Sequence, residues 1–122
     1  MPQQKKDWIV VADDDQGILE SFDAMLGDEY NIKMVNNGLD ACNELVKDGV
    51  SLMFLDMKMP LLNGLDVLEW IKGSAVDTEI VVITAMPQES YKELAESYGV
   101  YRYLSKPFDV DEVQGIVSEV VH

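Results

Sequence analysis

The stretch Ile9-Val10-Val11-Ala12-Asp13-Asp14-Asp15 decides the reading of this chain. Four apolar residues in a row, with no polar alternation, describe a strand covered on both faces, as strands of a parallel sheet are. Carboxylates close that run. A stripe of Ile18, Leu19, Phe22, Met25 and Leu26 then follows at helical spacing over 16–26. Asp15 suits the N-cap of this helix.

Outward from this unit the pattern repeats. Strand-like runs fall at 8–12, 30–35, 51–55, 79–84 and 101–104, and helix-length segments at 16–26, 39–47, 65–72, 89–98 and 110–121. Gly27, Asn36-Asn37-Gly38, Asp48-Gly49, Gly73 and Gly99 punctuate the cuts, and Pro87 suits the first turn of the fourth helix. Five strands alternating with five helices predict right-handed crossovers and a doubly wound, flavodoxin-like α/β fold. Leu52-Met53-Phe54-Leu55 and Ile80-Val81-Val82-Ile83 are continuously apolar, like the first strand, so these three are central. Tyr30-Asn31-Ile32-Lys33-Met34 and Tyr101-Arg102-Tyr103 alternate, as edge strands do, which gives the order 2-1-3-4-5. With 122 residues and no repeat or linker, 1–122 reads as one domain, either alone or as the N-terminal part of a longer protein.

Composition narrows the function. Nine basic residues against 23 acidic ones leave a net charge of −14, which argues against contact with nucleic acid or an anionic membrane surface. A hydrophobic content of 48% excludes a disordered chain. No apolar run approaches the roughly 18 residues of a membrane span, and the N-terminal MPQQKKD is not followed by a signal-length apolar segment. Cys42 is the only cysteine, so no internal disulfide forms. We read it as a helix packing residue in a reducing, cytoplasmic setting.

In such a sheet ligands bind beyond the carboxyl ends of the strands. Those ends carry Asp13-Asp14-Asp15, Asp56, Thr84-Ala85 and Lys106-Pro107. Adjacent strands lie about 5 Å apart, so Asp13 or Asp14 converges on Asp56. Clustered carboxylates repel and need a counter-charge, and a small set of hard oxygen donors suits Mg²⁺. A lysine and a hydroxyl around a carboxylate and a cation make a site for phosphoryl transfer that yields an aspartyl phosphate. The run Asp13-Asp14-Asp15-Gln16-Gly17 is not a calcium loop, because its glycine falls one place early and the closing glutamate is missing.

These residues resemble the receiver domains of two-component response regulators. The likeness rests on Ile9 to Asp15, on Leu55-Asp56-Met57-Lys58-Met59-Pro60-Leu61-Leu62-Asn63-Gly64, on Val82-Ile83-Thr84-Ala85, and on Tyr103-Leu104-Ser105-Lys106-Pro107-Phe108. It implies the strand order already read. It also implies that Asp56 is the phosphoacceptor and that Asp14 is a direct Mg²⁺ ligand, with Asp13 acting through water. The Lys58 backbone carbonyl would complete the protein ligands. Thr84 and Lys106 would bind phosphoryl oxygens, Tyr103 would be the switch aromatic, Lys106-Pro107 would be cis, and Gly64 would open the third helix. Lys58 and Met86 occupy the positions that tune phosphate lifetime; the Lys58 amine either screens the acceptor, pairs with the carboxylates or faces solvent.

The resemblance further implies a phosphohistidine donor on a histidine kinase or histidine phosphotransfer protein. The output surface would lie on the fourth helix, fifth strand and fifth helix, facing an effector domain or protein. Tyr91, Tyr98, Tyr101 and Tyr103 fall in that region, either as interface or as packing groups. The segment 99–103 lacks the acidic pair of regulators that dimerise through charge there. Ile18, Phe22 and Met25 are expected in the core, and His122 reads as a tail residue. Three other readings compete. A haloacid-dehalogenase-type phosphatase would need a second aspartate where Lys58 stands. A flavin carrier would need a hydroxyl-rich loop where Asp13 to Asp15 stand. A receiver-like interaction module would work without phosphorylation.

Overall fold

The computed structural model describes residues 8–47, 49–85, 93 and 96–121. Strands β1 (Trp8–Ala12), β2 (Asn31–Val35), β3 (Val50–Asp56), β4 (Glu79–Thr84) and β5 (Arg102–Ser105) form one parallel sheet in the order β2-β1-β3-β4-β5. Among the described residues the helices are α1 (Gln16–Leu26), α2 (Gly38–Leu45), α3 (Gly64–Lys72) and α4 (Val110–Val120). The expected sheet is found, and among the described residues the helices number four where five were expected. The helix read over 89–98 falls largely outside the described residues, as do Pro87, Met86, Tyr91 and His122; within it Glu93, Glu96 and Ser97 are helical.

The apolar strands serve two cores at once because successive side chains point to opposite faces. Val10, Met53, Leu55 and Val82 pack on one side with Ala41, Leu45, Val67 and Leu68 of α2 and α3. Ile9, Val11, Phe54 and Ile83 pack on the other with Leu19, Phe22, Val113 and Val117 of α1 and α4. Each helix begins on a side chain that accepts a backbone N–H: Asp15, Asn37, Asn63 and Asp109. Asn63 with Asp66, and Asp109 with Glu112, form full capping boxes. These caps fix where each helix leaves the carboxyl edge of the sheet.

Several expectations need correction. β3 runs one residue further than read, so Asp56 belongs to the strand itself. In β2, Lys33 and Met34 are both exposed, which breaks the alternation; a cleft lined by Gln16, Leu19 and Met34 leaves that end of the edge strand uncovered. Phe22 is fully buried, but Ile18 and Met25 are only half-buried, in a groove of about 480 Å³ shared with Phe108 and Val110. The apolar stripe of α1 is wider than the surface it covers.

The β3–α3 loop contains the one non-glycine residue with positive φ among the described residues, Leu61 at 70°. The Leu62 N–H donates to Pro60 O at 2.8 Å across it, a tight three-residue turn. Leu61 is 73% exposed, so its side chain contributes little packing against that strain. Leu61→Asn is expected to stabilise the fold by about 0.5–1 kcal/mol, because asparagine tolerates positive φ better. Urea denaturation checks this through a raised midpoint at unchanged slope.

Candidate functional site

Three strand ends build the site. The Asp13 N–H donates to Val35 O at 3.1 Å, tying the turn after β1 to β2. The Asp15 N–H donates to Asp13 Oδ1 at 2.9 Å and aims that carboxylate inward, where it is fully buried. Asp14 is exposed at the rim. Asp56 ends β3 in register with Ile83 of β4, one residue before the buried Thr84. The carboxylates of Asp13, Asp14 and Asp56 each offer an oxygen within 4.8 Å of the others.

Lys106 closes the site from beyond β5. Thr84 is in register with Ser105, and the Lys106 N–H donates to Thr84 O at 2.8 Å. The peptide Lys106-Pro107 is cis, as the resemblance implies. The Lys106 ammonium lies 2.9 Å from Asp13 Oδ2 and 3.7 Å from Asp56 Oδ1. Asp13 Oδ2 has no donor in good hydrogen-bond alignment, yet the contact holds as an ion pair, since attraction between full charges depends on distance more than angle. Burial pulls the Lys106 ammonium down, but its contacts with Asp13 and Asp56 outweigh that and hold it above the usual lysine value.

Asp56 carries the strain of the cluster. Burial first, then the charges of Asp13 and Asp14, push its carboxyl up to about 6, against the pull of Lys106 and a hydrogen bond from the Lys58 backbone N–H. One ammonium therefore does not neutralise three carboxylates. The donor set is all hard oxygen, and it is deficient in positive charge. These features fit a divalent cation of the Mg²⁺ kind. Lys58 is exposed, and among the described residues the ion-pair partner of the cluster is Lys106 instead.

The remaining site residues stand apart. Tyr103 is half-buried against the α2–α3 side of the core, with its hydroxyl inside. Tyr98 packs on that same side and donates to Glu69 Oε1 at 2.5 Å. Tyr101 packs on the opposite side and donates to Glu119 Oε1 at 2.6 Å, where Arg102 also binds at 2.9 Å. The tyrosines thus lie on both faces of the sheet beside its edge strand β5. Gly64 opens α3 by close approach, not by an unusual φ: a Cβ there would lie 2.6 Å from Asp56 O. Two contributors lay outside the sequence reading of the site, Gly38 and Phe108. The sequence marks Gly38 only as turn punctuation, and the Phe108 ring meets that of Phe22 at a tilt of 50°, centroids 5.3 Å apart, just beyond the lysine.

Comparison with known proteins agrees with this geometry. The family model for the response regulator receiver domain matches residues 9–118. The response regulator MprA of Mycobacterium tuberculosis is 32% identical over 106 residues, which cover 86% of this chain and 46% of that protein. The probable transcriptional regulator ycf29 of Pyropia yezoensis is 34% identical over 94 residues, 75% of this chain and 42% of that protein. The chain thus spans less than half the length of these relatives. Among solved structures, the signal receiver domain of a putative Luxo repressor protein from Vibrio parahaemolyticus matches with TM-score 0.87 and 25% identity, covering 93% of this chain and 88% of that one. The receiver domain of a sensor histidine kinase from Pseudomonas aeruginosa, solved with magnesium in its active-site cleft, matches with TM-score 0.84 and 23% identity, covering 93% and 96%.

A parallel sheet with carboxylates and a lysine gathered at its carboxyl edge, in a chain matched by the receiver-domain model over residues 9–118, defines a class of signalling domain. This chain belongs to the response regulator receiver domain family. Receiver domains bind Mg²⁺ at an acidic site and work with histidine kinases and effector domains. Among the described residues no helix is long and apolar enough to cross a membrane.

Proposed function

We propose that residues 1–122 act as a single receiver domain whose phosphoacceptor is Asp56. One observation carries this: Asp56 is 6% exposed, flanked by Asp13 and Asp14 on one side and faced by Lys106 on the other. Asp14, Asp56 and the Lys58 carbonyl would hold Mg²⁺, with Asp13 acting through water, and the ion would supply positive charge to offset that of an incoming phosphoryl group. An Asp56 carboxylate oxygen attacks the phosphorus of a phosphohistidine. The phosphorus–nitrogen bond breaks, and the imidazole of the histidine kinase or phosphotransfer protein leaves. Thr84 and Lys106 bind the new phosphoryl oxygens, so Lys106 gives up its hold on Asp13. Tyr103 follows Thr84, and the segment 89–98, which we read as a helix, changes shape together with β5 and α4. An effector domain or protein reads that change. With its single cysteine we place the chain in the cytoplasm, and with its acidic balance we place it in contact with neither nucleic acid nor an anionic membrane surface.

The test is uptake of phosphate from a small donor. Incubation with acetyl phosphate and Mg²⁺ is expected to add a single phosphoryl group, seen by intact mass, and chelation of the metal is expected to prevent it. Sustained turnover of phosphate monoesters would instead mark a phosphatase.

A further inference from the structure

The Lys58 carbonyl sits on a loop, residues 57–63, that two glycines grip. Gly64 grips its root, where the Gly64 N–H donates to Met57 O at 3.1 Å and a Cβ would lie 2.7 Å from Met57 Cα. Gly38, the first residue of α2, grips its tip. The Gly38 N–H reaches Pro60 O at 3.4 Å. A Cβ on Gly38 would lie 1.9 Å from Leu62 O and 2.6 Å from Leu62 C. These obstacles are backbone atoms, so no side-chain rotation relieves them.

Both partners in this contact are held by bonds of their own. On the helix side, the buried Asn37 caps α2 by accepting from the Asp40 N–H at 2.8 Å, while its amide donates to the Asp40 carboxylate at 2.9 Å. Val35, three residues before Gly38, holds the Asp13 N–H. On the loop side, Pro60 has its φ fixed by its ring, and the turn closed from Leu62 N–H to Pro60 O holds Leu61 at φ 70°. A push on Leu62 meets this constrained turn first, and three residues separate Leu62 from Lys58.

We propose that Gly38 is a positioning residue for the metal site, acting through its backbone contact with Leu62 to set the Lys58 carbonyl. This rests on the receiver reading above, and it assigns to the head of α2 a role in the site that no side chain there performs. Removing a group that orients a metal ligand costs about 10–100-fold in metal affinity. Calorimetric titration of Gly38→Ala with Mg²⁺ is accordingly expected to show at least tenfold weaker binding than the wild-type chain. Val113→Ala, which opens a cavity in the α1–α4 core away from the loop, is expected to keep wild-type affinity and so separates positioning from general destabilisation. If Gly38→Ala does not fold, the wild-type chain answers the same question. Coupling is reciprocal, so saturating Mg²⁺ is expected to slow hydrogen exchange at the Gly38 amide. Wild-type affinity in a folded Gly38→Ala overturns the proposal, as does a Gly38 amide that Mg²⁺ leaves unchanged. A wild-type chain that binds no Mg²⁺ overturns the receiver reading of the site instead.

Discussion

Asp56→Asn is expected to accept no phosphoryl group and, free of metal near neutral pH, to be more stable than the wild-type chain by on the order of 2 kcal/mol. The reason is the cluster itself. The carboxyl of Asp56 is raised to about 6 by burial and by Asp13 and Asp14, so its ionised form is less comfortable in the fold than in the unfolded chain. Between about pH 4 and about 6 the native state binds more protons than the unfolded state. Stability therefore falls as pH rises through that window, and the penalty is complete above it. Asparagine keeps the shape and removes the charge. Its advantage should shrink as pH falls below about 6, where folded wild-type Asp56 takes up its proton, and be lost near pH 4, where the unfolded chain is protonated too. It should also shrink when Mg²⁺ is added, since the cation favours the ionised cluster. Thermal denaturation across pH, with and without Mg²⁺, checks both arms. An Asp56→Asn chain less stable than wild type at pH 7 would mean that the carboxylate is already neutralised.

Phe22→Ala is expected to cost about 3–5 kcal/mol, a large share of the roughly 5–15 kcal/mol that hold a domain of this size folded. Phe22 is fully buried, 4.8 Å from the Phe54 ring and 5.3 Å from that of Phe108. It links α1 to the middle of β3 and to the segment just after Lys106. Urea unfolding should show a much lower midpoint at unchanged slope. A loss under about 1 kcal/mol would mean that the surrounding side chains collapse into the cavity, and that Phe108 does not depend on this ring.

The carboxylate cluster was legible in the sequence because parallel-sheet geometry does the placing. Once 9–12, 52–55 and 80–83 are read as adjacent strands, Asp13, Asp14 and Asp56 have nowhere to go but the same edge. Lys106 was legible by type and position, but its closer approach to Asp13 than to Asp56 was not, because that depends on a side-chain path after a cis bond. Gly38 and Leu61 were opaque for a different reason. A backbone-to-backbone approach between residues more than twenty apart leaves no period, and a leucine gives no sign of positive φ. Tyr98 and Tyr101 sit three residues apart in sequence yet pack on opposite faces of the sheet, a difference that their spacing does not reveal.

The central claim is that one carboxylate, Asp56, receives the phosphoryl group. The direct measurement is to trap the product formed from acetyl phosphate and Mg²⁺ and to map the modified residue by peptide mass spectrometry. A single modified position, at Asp56, is the expected result. A label on Asp13, Asp14 or any hydroxyl residue, with Asp56 unmodified, would contradict it.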